Sequence, residues 1–208
     1  MRLFIALWPA AAERRRLQAL AAGHRSPWRP KPAPDLHLTL AFLGELPRAR
    51  LPGLAAILAR QGALAPPIVL DRLEAWGGGR LACAVGPGTP SLRAWQGRLR
   101  ASLAAAGLVT GRRAFVPHVT LATRAAPASG GGQPRQAMAK PIRPAVRLAC
   151  ASLVLVESRP GVSHGDGQFR RYRVLMARRR PGGGPAGCPL AFAAKRATFW
   201  AGAGGDMY

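Results

Sequence analysis

Two periodicities divide most of the chain. Apolar residues recur at helical spacing in residues 10–22, in residues 50–62 (Leu51, Leu54, Ala55 and Leu58 on one face) and in residues 91–106 (Leu92, Trp95, Leu99 and Leu103). Between them lie short apolar runs that read as strands: Leu3 to Trp8, Ile68-Val69-Leu70 with Leu73 to Trp76 leading to Gly77-Gly78-Gly79, a long run from Val146 to Glu157, and Tyr172 to Ala177. The opening run superficially resembles a signal peptide, but Pro9 interrupts it and its pattern returns later in the chain, so it is read as a first buried strand. Residues 125–144, with Gly130-Gly131-Gly132 and several prolines, are expected to form a mobile loop. Periodicity stops after Arg178. Residues 1–178 are therefore expected to be one domain of two lobes, and residues 179–208 a largely disordered tail rich in Arg, Gly, Pro and Ala.

The pattern repeats. Arg2-Leu3-Phe4-Ile5-Ala6-Leu7-Trp8-Pro9 aligns with Arg80-Leu81-Ala82-Cys83-Ala84-Val85-Gly86-Pro87 at an offset of 78 (Arg2 to Arg80). Each copy is followed by a helical segment, a loop, and then His-x-Thr-Leu: His37-Leu38-Thr39-Leu40 and His118-Val119-Thr120-Leu121, at an offset of 81 (His37 to His118). A duplication of this kind predicts two similar lobes across a cleft, each contributing one motif. In a strand, side chains at i and i+2 share a face about 6–7 Å apart. His37 and Thr39 then face one way, and Leu38, Leu40 and Phe42 the other; His118 and Thr120 repeat this, with Val119 and Leu121 turned away. An imidazole can give or take a proton near neutrality, and a hydroxyl can donate to an anionic oxygen. Two such pairs suit in-line displacement at a phosphate. A single motif would read as a polar strand face; the pair reads as a site.

Composition adds direction. The formal net charge is +23, with 31 Lys and Arg against 8 Asp and Glu, which suits a polyanionic partner such as RNA. Part of the charge is explained by the excess of Arg over Lys (28 to 3), which together with abundant Ala, Gly and Pro looks like coding bias; the scarcity of acidic residues is not explained that way. Cys83, Cys150 and Cys188 are scattered, with no Cys-x-x-Cys, so neither a zinc site nor a disulfide framework is indicated and a reducing cytoplasm is expected. No charge-free run reaches transmembrane length.

These residues resemble the 2H phosphoesterase superfamily and, within it, the RNA 2′,3′-cyclic phosphodiesterase group, also called the 2′-5′ RNA ligase family. The resemblance is carried by Arg2-Leu3-Phe4-Ile5-Ala6-Leu7, by Trp28 and Leu36-His37-Leu38-Thr39-Leu40-Ala41-Phe42-Leu43-Gly44-Glu45, by Phe115-Val116-Pro117-His118-Val119-Thr120-Leu121, and by Arg171-Tyr172-Arg173-Val174-Leu175. It implies an α/β (α+β) bilobal fold, two pseudo-symmetric lobes of antiparallel sheet with outer helices around a central cleft. It implies metal-independent hydrolysis of a 2′,3′-cyclic phosphate at an RNA end to a 2′-phosphate, and a weak capacity to join RNA ends through a 2′-5′ linkage. His37 and His118 fall on the catalytic positions, with Thr39 and Thr120 as phosphate donors. The family's phosphate-holding Arg, five residues after the second histidine, is here Thr123; Arg124 is next and is expected to take the role.

On this reading the cyclic phosphate lies between the motifs, His118 acts as base on water and His37 as acid on O3′, with no cofactor or metal. The partner expected is RNA with 2′,3′-cyclic phosphate ends, acted on by a monomer. Trp8 and Trp28 are expected to pack rather than stack on bases, and Phe42 to lie on the core side. Arg170, Arg171 and Arg173 either touch RNA phosphates or form a solvated face; His24 and His164 have no assigned role. Two other functions fit the same residues: a phosphodiesterase of a small cyclic nucleotide or ADP-ribose-derived cyclic phosphate, and a non-catalytic RNA-binding module. A metal-dependent hydrolase fits poorly, since only Asp35 and Glu45 flank the first motif.

Overall fold

The computed structural model describes residues 1–22, 28–61, 65–76, 81–108, 114–123, 140–148, 152–159 and 172–178. The elements run β1 (Arg2–Trp8), α1 (Ala11–Ala22), β2 (Arg29–Pro30), β3 (Leu38–Glu45), α2 (Leu51–Ala59), β4 (Ile68–Trp76), β5 (Leu81–Val85), α3 (Pro90–Ala105), β6 (His118–Thr123), β7 (Lys140–Leu148), β8 (Ser152–Ser158) and β9 (Tyr172–Arg178). They build two antiparallel sheets, ordered β3-β1-β8-β9 and β2-β6-β5-β4-β7. In each sheet the motif strand pairs with the strand that precedes it by one helix: β3 with β1, β6 with β5. The expected duplication is thus present as topology.

Local chemistry explains the helices. Thr89 caps α3 by accepting from the Leu92 amide at 3.3 Å, and Pro90 sits where its missing N–H costs nothing. At the other end Gly107, at φ +70°, donates to Ala104 O, while Leu108 donates to Leu103 O and is itself buried. That is the left-handed stop that favours glycine. At the start of α1 the Glu13 carboxylate accepts the Ala10 amide at 2.7 Å.

One large core joins everything. Leu3, Ile5 and Leu7 of β1, Leu153 and Leu155 of β8, Leu54 and Leu58 of α2, Leu99 and Leu103 of α3, and Val119 and Leu121 of β6 belong to it. Alternation turns Phe4, Ala6, Val154 and Val156 to the opposite face, where Trp8, Tyr172 and Val174 pack on them. That second face forms the first lobe's wall of the cleft.

Three sequence expectations are corrected. The run from Val146 to Glu157 is not one strand: β7 ends at Leu148 and β8 starts at Ser152, and the two lie in different sheets. Apolar composition on both sides hid the break. The expected loop at residues 125–144 falls mostly outside the described residues, but 140–144 belong to β7. Finally, the identity-based offset of 78 is one residue out of structural register. Thr39 faces Ala6 and Thr120 faces Cys83, so the lobes superpose their first strands at an offset of 77 (Ala6 to Cys83). The expected tail at residues 179–208 lies outside the described residues.

Candidate active site in the cleft between the lobes

The two motifs arrive with the same local construction. His37 immediately precedes β3 and His118 begins β6. His37 Nδ1 lies 2.7 Å from the Asp35 carbonyl oxygen, and His118 Nδ1 lies 2.8 Å from that of Val116. A carbonyl oxygen only accepts, so in both rings Nδ1 carries the hydrogen and the neutral ring keeps its lone pair on Nε2. Each ring is thereby set by the backbone two residues upstream.

Each motif also carries a β-bulge at its leucine. Between the pairs Ile5–Ala41 and Ala6–Thr39 the residue Leu40 has no partner; between Ala82–Ala122 and Cys83–Thr120 the extra residue is Leu121. The bulge lets two successive residues, Leu40 and Ala41, both turn to the core. The freed carbonyls are taken up: Gln96 of α3, itself buried, donates its side-chain amide to Leu40 O at 3.1 Å, and the Lys31 amide donates to Leu121 O at 2.7 Å. The phase shift after Leu40 overturns the expectation for Phe42. It stands opposite Phe4 on the cleft side, ring centroids 6.0 Å apart, and is 65% exposed.

The surroundings of the two histidines differ. His37 sits in an aromatic box: Trp8 stacks parallel at 5.3 Å (5° between planes), and Phe4 and Tyr172 each lie 4.9 Å away, Tyr172 edge-on. Trp8 thus packs, as expected, and its packing partner includes the imidazole. Burial in this box lowers the His37 pKa from the ordinary 6.5 to about 4; the Asp35 carbonyl opposes this, and the charges of Lys31 and His118 add to it. His118 is also lowered by burial, but the Val116 carbonyl and the Glu74 carboxylate both raise it. Its ring lies 4.3 Å from the Trp76 indole. Trp76 donates its indole N–H to Glu74 at 2.6 Å, Arg72 donates to the other Glu74 oxygen at 2.7 Å, and Arg72 also holds Asp71 at 2.9 Å. Beneath them, Cys83 Sγ lies 3.8 Å from Thr120 Oγ1, and burial pushes the thiol up to about 11.

Of the residues singled out from sequence, His37 and His118 lie near enough for the charge of one to act on the other, and Thr39 and Thr120 stand on the same strands opposite Ala6 and Cys83; Arg124, His24, His164, Arg170 and Arg171 lie outside the described residues. Trp28 is half-buried and Arg173 exposed, with a guanidinium nitrogen 4.0 Å from Glu157. Sequence reasoning missed Arg72, Glu74 and Trp76. Their signal was the alternation Arg72-x-Glu74-x-Trp76 in a chain with only 8 acidic residues. Among the described residues no group of three His, Cys, Asp or Glu side chains is arranged to hold a metal ion. Among the described residues no helix is long and apolar enough to cross a membrane.

Two antiparallel lobes that each present one backbone-tethered histidine and one threonine to a shared cleft define a 2H phosphoesterase. The chain belongs to the 2′-5′ RNA ligase superfamily, whose family model matches residues 6–161. Among solved structures it is similar to Escherichia coli LigT complexed with 3′-AMP, at 28% identity and TM-score 0.62, covering 87% of this chain and 98% of that one. A Thermus thermophilus protein, TT0787, is 29% identical with TM-score 0.60 (88% and 100% covered), and a structure described as a phosphoesterase is 28% identical with TM-score 0.61 (86% and 98%). No curated protein matches the chain.

Proposed function

We propose that this protein hydrolyses the 2′,3′-cyclic phosphate at an RNA end to a 2′-phosphate, with a weak capacity for the related 2′-5′ joining of RNA ends. The observation that carries this reading is the pair of imidazoles, each held by Nδ1 on a carbonyl two residues upstream so that Nε2 is left for substrate. One ring takes a proton from water as the water oxygen bonds to phosphorus. The P–O3′ bond breaks, and the other ring gives its proton to O3′. Thr39 and Thr120 donate to the non-bridging oxygens. Phe42, exposed on the same face, offers a ring to the adjoining base. The likeness to LigT, which has been crystallised with 3′-AMP and with phosphate, supports a nucleotide phosphate in the cleft.

The family resemblance makes His118 the base. One observation favours the opposite division: His37, in its apolar box, holds its proton far less readily than its ordinary value, while the Glu74 carboxylate beside His118 favours the charged ring there. A neutral His37 is ready to act as base, and His118 is the better placed proton donor.

The test is turnover of a short RNA ending in a 2′,3′-cyclic phosphate, in EDTA, with products separated against 2′- and 3′-phosphate standards. Wild type should yield the 2′-phosphate. His37→Ala and His118→Ala should each lose at least about 10²-fold in kcat. Phe42→Ala should raise KM with kcat nearly kept. RNA binding without turnover by the folded wild type would replace this reading with a binding module.

A further inference from the structure

The two lobes can be compared row by row. In the first, the row across the sheet from Thr39 runs Thr39–Ala6–Val154; in the second it runs Thr120–Cys83–Glu74. The equivalent place two strands over from each threonine is therefore apolar on one side and a carboxylate on the other. The neighbouring row in the second lobe is His118–Val85–Arg72, so Arg72 and Glu74 lie on the histidine's own sheet face. Duplication alone would have made the two walls alike; this is where they depart.

Resting on the reading of His118 as a proton-transfer group, we infer that Glu74 is a positioning residue for that histidine. It clamps the Trp76 indole against the imidazole and supplies a fixed negative charge that His37 lacks. The geometry is closed on both carboxylate oxygens, one by Trp76 and one by Arg72. Among the described residues, the charged and titratable groups on the strands around His118 include Asp71, Arg72 and Glu74 from β4, Cys83 from β5, Arg29 of β2 and Lys31 just after it, and His37 from the first lobe. Cys83 stays neutral, and Arg72 is ion-paired with both Asp71 and Glu74. Burial alone would raise Glu74's own pKa, but the bonds from Trp76 and Arg72 and the charges of Arg72 and His118 hold it below its ordinary value. It therefore remains an anion throughout the range in which a histidine titrates. The consequence is an asymmetry built around nearly identical motifs: beside one imidazole a carboxylate that favours the charged ring, around the other an aromatic box that disfavours it.

The experiment is an NMR titration of the histidine ring protons in the full chain, wild type against Glu74→Gln. Gln still accepts the indole N–H through its amide oxygen but carries no charge. The His118 midpoint should fall by about half a pH unit or more, with His37 unmoved. In the kcat/KM profile the limb governed by His118 should move the same way. Glu74→Asp keeps the charge and should hold the His118 midpoint close to wild type. It also serves if Glu74→Gln fails to fold, since a midpoint as low as burial alone would set, in a folded Glu74→Asp, overturns the inference. So does an unmoved His118 in folded Glu74→Gln, or an equal shift of both histidines. The titration reads proton affinity without turnover, so its outcome holds even if the enzyme's substrate is a different phosphodiester.

Discussion

At the residue scale the most consequential choice is to bury an imidazole among rings. His37 has its pKa lowered from 6.5 to about 4 by desolvation in the Phe4–Trp8–Tyr172 box. The unfolded chain takes up this proton below pH 6.5, but the folded one only near 4. The neutral ring's contribution to stability is therefore complete above pH 6.5 and is lost as pH falls through that window, to a total of roughly 3 kcal/mol. His37→Gln should flatten this part of the pH dependence. Denaturant melts from pH 7.5 to 4 would show it, and parallel curves for wild type and variant would refute it. The rings that set this value come from β1 and β9, far apart in the chain. No local pattern around His37 announces them.

At the element scale the β-bulges decide what each motif presents. Gln96 on α3 secures the first by bonding the Leu40 carbonyl. Gln96→Leu, close in shape but without a donor, leaves that buried carbonyl unsatisfied and should cost about 1–3 kcal/mol in urea unfolding. No loss at all would mean that water reaches the bulge. This is also where the sequence reading reached its limit. The motif residues, the three helices, the opening strand and the two-lobed arrangement were all legible, because each rests on a periodicity or on a pairing of rare residues. Phe42 lies on the other face because strict alternation carries no sign of a bulge, whereas the repeat is one residue out because residue identities, not strand pairing, aligned it. A bulge depends on which strand pairs alongside and on a distant glutamine that satisfies its carbonyl. Glu74 and Trp76 were legible only as strand residues, since their meaning lies across two neighbouring strands.

At the scale of the whole molecule, charge separates the candidate substrates. A net charge of +23 acts on every phosphate of an oligonucleotide, whereas a cyclic mononucleotide offers one. KM for an RNA of about ten nucleotides should climb steeply between 50 and 200 mM salt, with KM for a mononucleotide 2′,3′-cyclic phosphate changing little. Equal salt responses would point to a small-molecule substrate. The two lobes are also not independent bodies. Helix α1 leaves the first sheet to contact β6 and β7 of the second, and Gln96 of α3 reaches back to β3 of the first. One core runs through both.

The central strand of the first sheet is β1, flanked by β3 and β8. Its second neighbour is made about 150 residues after it, on the order of ten seconds at ordinary elongation rates. For that interval an almost wholly apolar strand has one edge unmatched, and the box that holds His37 lacks Tyr172. The surroundings of His37 are thus completed only by a strand made about 135 residues after it, and until then the edge of β1 depends on whatever shields it.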